Sequence, residues 1–311
     1  MKKKILIVTA FVLLIVSVVL YHLFPENVCD MMISIERHSA QLSEKKMQVG
    51  THTVAWLEGG HGETILFLHG FSTNKDNWTR LSKYLTPDYR VIAIDIPGFG
   101  NSSRIENEIY DIASQVKRLK AISDALNLDR FHIAGHSMGG EIAGKFAIDY
   151  PDKVLSLTIV ATAGVPTTVK SKLTKRLENG ENPFNVTTME AFERFLEFEF
   201  VTVPWIPGVI KEKLLAESIK YADFNTKILN ESHIHDTYDF RENLCRIKNK
   251  TLVIWGDHDP NQHVSCTDIL KTELVDSSVY IMKDCGHLPM VERPEETSLY
   301  FLSFLKKVKT V

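Results

Sequence analysis

The stretch that most restricts what this chain can fold into is Gly135-His136-Ser137-Met138-Gly139-Gly140, which combines a nucleophile, a tight turn and a helix start in six residues. Before it, Phe131-His132-Ile133-Ala134 is short, apolar and partly β-branched, as suits a buried strand. After it, Glu141 to Ala147 continues with the apolar spacing of a helix. Strand, sharp turn and helix is the context in which G-x-S-x-G acts as a nucleophile elbow. A turn that lifts a serine hydroxyl above a sheet edge crowds the backbone, and residues without Cβ relieve the crowding. The pentapeptide alone also fits an ordinary Gly-rich strand-to-helix turn. A catalytic reading of Ser137 therefore needs a base and an oxyanion site elsewhere in the chain.

The 311 residues, 44% of them hydrophobic, suffice for one large α/β domain or two small ones. A net charge of -3 with scattered Lys and Arg argues against nucleic acid as a partner. Cys29, Cys245, Cys266 and Cys285 are far apart with no C-x-x-C pair, which speaks against a structural zinc site or a redox dithiol. The N-terminus departs from the rest. Lys2-Lys3-Lys4 precede an apolar run from Ile5 to Leu20, extended to Phe24 and closed by Pro25. Twenty helical residues span about 30 Å, the thickness of a bilayer's hydrocarbon core. No small-residue cleavage pattern follows, so residues 1–24 read as an uncleaved transmembrane anchor rather than a signal peptide. The three lysines put the N-terminus in the cytoplasm and the rest of the chain across the membrane. Residues 25–46 read as a juxtamembrane connector, and the folded domain as 47–311.

Within that domain Met47 to Leu57 alternates like an edge strand, and Thr64 to Leu68 reads as a buried strand ending in His69-Gly70-Phe71. This loop lies where an oxyanion loop would be. An acyl-transfer site needs two donors aimed at the developing oxyanion, and the backbone N–H groups of Phe71 and Met138 are the candidates, the second helped by its helix dipole. Arg90 to Asp95 is another strand; Asp95 at its end reads as a loop-holding residue rather than a catalytic acid. Tyr110 to Leu126 has helical spacing, and Val154 to Val160 is a further strand. Strands alternating with helices imply a mainly parallel sheet covered on both faces. The alternation then stops, and residues 166–245 read as a helical cap rich in aromatics, with Phe195, Phe198 and Trp205 as candidate acyl-pocket walls. Strands resume at Thr251–Trp255 and Val279–Met282, and Glu295 to Val308 closes the chain as a helix. Asp257 and Asp259 follow the first of these strands and Cys285-Gly286-His287 the second. A Ser…Asp…His order demands an acid and a base at these places. Asp259, just before Pro260, is biased to an extended backbone that can carry its carboxylate across to His287, whereas Asp257 lies close to the strand end.

At these residues the chain resembles the α/β-hydrolase superfamily over roughly 47–308. More narrowly, His69-Gly70-Phe71-Ser72 with Lys75-Asp76 and Trp78, Gln115 to Arg118, the elbow, and Cys285-Gly286-His287 with Glu292-Arg293-Pro294 look like membrane-anchored monoacylglycerol lipases and related bacterial lipases. The resemblance implies an α/β-hydrolase fold with Ser137 as nucleophile, His287 as general base and Asp259 as its orienting acid, with no metal or organic cofactor. The expected activity is hydrolysis of lipid-like carboxylic esters, monoacylglycerols first among them. Two alternatives stand beside it: hydrolysis of a carbon–carbon bond in a ring-cleavage product, and a catalytically silent binding protein on the same fold. Serine at the elbow counts against haloalkane dehalogenases and epoxide hydrolases, whose resemblance would require aspartate there.

Overall fold

The computed structural model describes residues 23–234 and 240–309, together with Lys2, Thr9 and Tyr21. An eight-stranded sheet runs β1 (Leu42–Val49), β2 (His52–Gly59), β4 (Arg90–Ile94), β3 (Thr64–Leu68), β5 (Phe131–His136), β6 (Val154–Val160), β7 (Thr251–Gly256), β8 (Ser277–Met282). From β4 to β8 every pairing is parallel; β1 and β2 are antiparallel to their neighbours. Strands β3, β5 and β7 are buried along their whole length, because helices cover both faces, and this explains their largely apolar sequences.

Successive residues feed opposite cores. Leu66, Leu68, Ile92, Ile94 and Ile133 pack with α2 (Ile112–Ala125) and α3 (Met138–Asp149). Ile65, Phe67, Val91, Ala93 and Ala134 pack on the other face with Phe301, Phe304 and Leu305 of α9 (Pro294–Lys309). Between β6 and β7 the cap is built from α4 (Lys172–Glu178), α5 (Met189–Glu199), α6 (Gly208–Lys220) and α7 (Ala222–Ile234), and α8 (Cys266–Glu273) precedes β8.

Two expectations for the N-terminal part need correction. The single edge strand over 47–57 is two strands, β1 and β2, paired with Val49 opposite His52 across the turn Gly50-Thr51. Gly50 supplies the positive φ of 57° that reverses the chain. Alternation continues through this glycine, so periodicity alone could not reveal the hairpin. The connector over 25–46 is likewise part of the folded body: α1 (Pro25–Ser39) leads straight into β1 at Leu42. Lys213 of the cap reaches Asp30 at 2.8 Å, Arg80 reaches Glu36 at 2.8 Å, and Arg37 bridges Asp76 at 2.6 Å and Glu44 at 2.7 Å. Cys29 is buried on the inner face of α1. Among the described residues no helix is long and apolar enough to cross a membrane; the expected anchor over 1–24 falls almost wholly outside them.

Candidate active site

Strand β5 ends at His136, and Ser137 takes φ 52° and ψ -120° before α3 starts at Met138. That backbone is costly for a residue with a Cβ, by about 1–3 kcal/mol, so the surroundings must impose it. Ser137 N–H donates to Val160 O at 3.0 Å, and Ser137 O accepts from Gly140 N at 2.9 Å and Ala163 N at 3.1 Å. The flanking glycines are demanded by packing as well. A Cβ at 135 would stand 2.0 Å from Gly139 O, and one at 139 would stand 2.4 Å from His69 O.

The loop after β3 is held from below. Ile96 N–H donates to His69 Nε2 at 3.0 Å, so the imidazole proton is on Nδ1, which donates to Gly70 O at 2.7 Å. Burial pushes the His69 pKa down to about 4, and the ring is a fixed neutral strut. Lys75 donates to Asp95 through both N–H at 2.8 Å and Nζ at 2.7 Å, and Asn101 N–H donates to the same carboxylate at 2.7 Å. Asp95 therefore ties two loops together. Among the described residues, the Phe71 and Met138 N–H groups have no acceptor, as oxyanion donors require.

The acidic and basic candidates meet across two loops. His287 Nδ1 donates to Asp259 Oδ2 at 2.8 Å, while Asp259 Oδ1 accepts from Asn261 N at 2.8 Å and Gln262 N at 3.0 Å. Both residues are buried. Burial alone would lower the His287 pKa, but the Asp259 carboxylate and, behind it, Glu199 outweigh it and leave the imidazole above its ordinary value. Asp257 instead lies at the surface, 2.6 Å from His258 Nδ1.

Ser137 and His287 border one cavity of about 240 Å³ whose lining is both aromatic and polar. Phe71, Phe184 and Phe195 form an edge-to-face chain with centroids 5.6 and 5.9 Å apart, and Phe192, Leu196 and Leu214 line the cavity with them. Ser72, Arg104, Glu217, Ser218, Tyr221 and Asn225 supply polar lining. Arg104 stacks on Tyr221 at 3.5 Å, and Asn225 donates to Ser72 at 3.2 Å. Of the three aromatic residues expected to wall the pocket, only Phe195 does so. Phe198 is turned away beneath Arg176, 4.6 Å from its ring, because α5 presents Phe192, Phe195, Leu196 and Glu199 to the cavity and position 198 lies off that face. Trp205 is 77% exposed, on the outer side of the segment between α5 and α6.

Three residues escaped the sequence reading. His136 donates through Nε2 to His287 O at 2.9 Å and packs its ring 4.5 Å from that of His287. Asn261 holds Asp259, as described. Glu199 is a buried carboxyl at the cap–core junction, and it had a legible signal: it sits seven residues after Phe192 and three after Leu196, in the apolar stripe of an amphipathic helix.

A serine on a strained elbow and the imidazole of a buried imidazole–carboxylate pair face one cavity, with two unengaged N–H groups on the adjoining loop and helix start, an arrangement that could support acyl transfer. Comparison with known proteins agrees with that chemistry. Residues 63–194 match the family described as alpha/beta hydrolase fold. The chain is 32% identical over 259 residues to monoacylglycerol lipase ABHD6 of Rattus norvegicus, covering 80% of this chain and 77% of the rat protein. It is 32% identical over 292 residues to lipase 3 of Moraxella sp. (strain TA144), covering 91% of each. The crystal structure titled as a membrane phospholipase A, a novel bacterial virulence factor, superposes with a TM-score of 0.90 at 38% identity over 100% of both chains. The relatives are lipases, the fold is theirs, and the chain belongs to the α/β-hydrolase family as a carboxylic ester hydrolase.

Proposed function

We propose that this protein hydrolyses single-chain lipid esters, monoacylglycerols first among them, through Ser137, His287 and Asp259. The observation that carries the reading is the mixed lining of the cavity: Ser137 and His287 share its wall with a chain of aromatic rings and with a set of polar side chains. An ester placed with its carbonyl oxygen at the Phe71 and Met138 N–H groups would run its acyl chain along Phe184 and Phe195. Its alcohol portion would face Arg104, Glu217 and Tyr221. Ser137 Oγ attacks the carbonyl carbon while His287 Nε2 takes its proton. The tetrahedral oxygen is held by the two N–H groups, the imidazolium gives its proton to the leaving alcohol, and water then repeats the sequence on the acyl-enzyme. Asp259 keeps the His287 proton on Nδ1 and offsets the imidazolium charge. No metal or organic cofactor enters these steps.

Residues 1–24 we read as a membrane anchor with a cytoplasmic N-terminus, on the strength of the lysines and the apolar run, which would keep the site beside its lipid supply. Turnover of monoacylglycerols, lysophospholipids, triacylglycerols and methyl esters of one acyl chain tests the substrate reading. Monoacylglycerols should lead; preference for triacylglycerols or for short acetates would refute it. Release of the full chain from membranes by alkaline carbonate would refute the anchor.

A further inference from the structure

We propose that Glu199 is a positioning residue of the hydrolytic site: the cap's own carboxyl group, which docks α5 onto both catalytic loops and acts as a second counter-charge for the His287 imidazolium. The inference rests on the reading of His287 as general base.

Glu199 is the last residue of α5, and it makes contact with both loops that carry the acid and the base. Its backbone oxygen accepts the N–H of His287 at 2.8 Å. Both carboxylate oxygens accept from Asn261 Nδ2 at 2.9 Å, and Asn261 N–H in turn donates to Asp259 Oδ1. The fit admits no side chain at 286, where a Cβ would stand 2.2 Å from Glu199 O. On the outer side Glu292 completes the junction, accepting from Gly286 N at 2.8 Å and from Thr202 N at 2.7 Å. The end of α5 is thus tied to the His287 loop through the Glu199 carbonyl and the Glu292 carboxylate, and to the Asp259 loop through the Glu199 carboxylate and Asn261.

The same place fixes its electrostatics. Glu199 is 3% exposed, and among the described residues no Lys or Arg side chain is paired with it. The ionisable groups facing it are His287, on the loop after β8, and Asp259, on the loop after β7; the neighbouring Asn261 is neutral. Burial raises the Glu199 pKa to about 7, with His287 and Asn261 pulling down and Asp259 pushing up. While His287 is neutral, Asp259 disfavours a second negative charge beside it. Once His287 holds the Ser137 proton, an ionised Glu199 is favoured and stabilises the imidazolium in turn. A buried carboxyl that titrates with the base is therefore part of what sets the base's strength, and it does so from the cap rather than from the core.

The test is the pH profile of kcat/KM for Glu199→Gln on a soluble short-chain ester, beside the pH dependence of fluorophosphonate labelling of Ser137. Glutamine keeps the length and one acceptor but removes the charge. Without it the acid limb should move to lower pH by about 0.5 to 1 unit, and the plateau kcat should fall about 3- to 10-fold as the base weakens. Glu199→Asp should return the limb toward its wild-type position. A purely structural role would lower activity and leave the limb in place, so an unchanged limb in a folded Glu199→Gln overturns the proposal. Should that variant not fold, Asn261→Ala serves: it strips the hydrogen bonds that favour the ionised Glu199, and the limb should shift the same way, with an unshifted limb again refuting. Failure of the underlying reading looks different. A wild-type enzyme with no acid limb, or an active His287→Ala, would remove His287 as the base altogether.

Discussion

Replacing Asp259 with asparagine should disable the site through the tautomer of a neighbouring ring rather than through unfolding. Two backbone donors, Asn261 N and Gln262 N, converge on Asp259 Oδ1 at 2.8 and 3.0 Å. In the variant the amide oxygen must take that position, because an NH₂ there would face two N–H groups. The amide nitrogen then occupies the Oδ2 position, 2.8 Å from His287 Nδ1, and presents a hydrogen where the carboxylate presented a lone pair. His287 Nδ1 has to become the acceptor, and its proton moves to Nε2, the atom that must receive the Ser137 proton. A wrong tautomer in a Ser-His-Asp site costs about 10⁴ in kcat, which is roughly 5.5 kcal/mol of barrier. Folding should change little, since the packing and the two backbone hydrogen bonds survive. Asp257→Asn should keep kcat within about threefold, because the Asp257 carboxylate faces the half-exposed His258 and the backbone of Asp284 and Cys285 rather than His287. Steady-state turnover of p-nitrophenyl butyrate by both variants, with near-UV circular dichroism as the folding control, decides the matter. A large loss in Asp257→Asn together with a near-native Asp259→Asn would refute the assignment.

The other predictions concern nucleophile, base, pocket and scaffold. Ser137→Ala and His287→Ala should each remove nearly all ester hydrolysis, and the double variant should be little worse, because attack and proton removal act as one unit; near wild-type turnover in Ser137→Ala would end the mechanism. Since Asp259 and Glu199 hold the His287 pKa above the usual histidine value despite burial, and since the base must be neutral, kcat/KM should fall as pH falls through a value above about 6.5; a profile flat from pH 5 to 8 would contradict this. Phe195→Asp should depress long-chain ester turnover at least about tenfold more than acetate turnover, whereas Trp205→Asp should affect neither, which a chain-length series on both variants reads directly. Lys75→Met should destabilise the fold by about 3–5 kcal/mol in urea unfolding by leaving the fully buried Asp95 carboxylate without its cation, and a loss under 1 kcal/mol would show that the pair is not needed.

How much of this was readable in the sequence depended on whether the signal was local. The elbow carries its own strand, glycines and helix start in the single stretch from Phe131 to Ala147, so Ser137 and its turn were legible at once. Asp259 was distinguished from Asp257 by Pro260, which biases the backbone before it; His287 Nδ1 lies 2.8 Å from Asp259, while Asp257 contacts His258. The hairpin at Gly50 was hidden because alternation runs unbroken across the turn. Residues 25–46 read as a connector because their charges look solvated. Arg37 and Glu36 find partners from Glu44 to Arg80, a pairing that no local pattern encodes. In the cap, aromatic content signalled a greasy wall, but membership of the wall depends on which face of α5 each residue occupies; Phe195 faces in and Phe198 does not. Glu199 was overlooked for the opposite reason. A glutamate in a helix is ordinarily a surface residue, and its place in the apolar stripe gains meaning only once the His287 loop is seen against it.

The helix Pro25–Ser39 also fixes where this protein can be cut. Because α1 touches the cap through Asp30 and the core through Glu36 and Arg37, it is a brace across the joint between them. A shortened version beginning near Glu44, at the conventional start of a hydrolase body, would discard the brace and two residues of an edge strand, and would uncover Cys29's bed and Ala40's. The practical boundary is Pro25, whose ring opens the helix with its φ already set and its missing N–H costing nothing. An N-terminal tag or fusion joined there sits at one end of a strut whose other end leads into the sheet, so the choice of linker becomes a variable of the cap's freedom and not only of solubility.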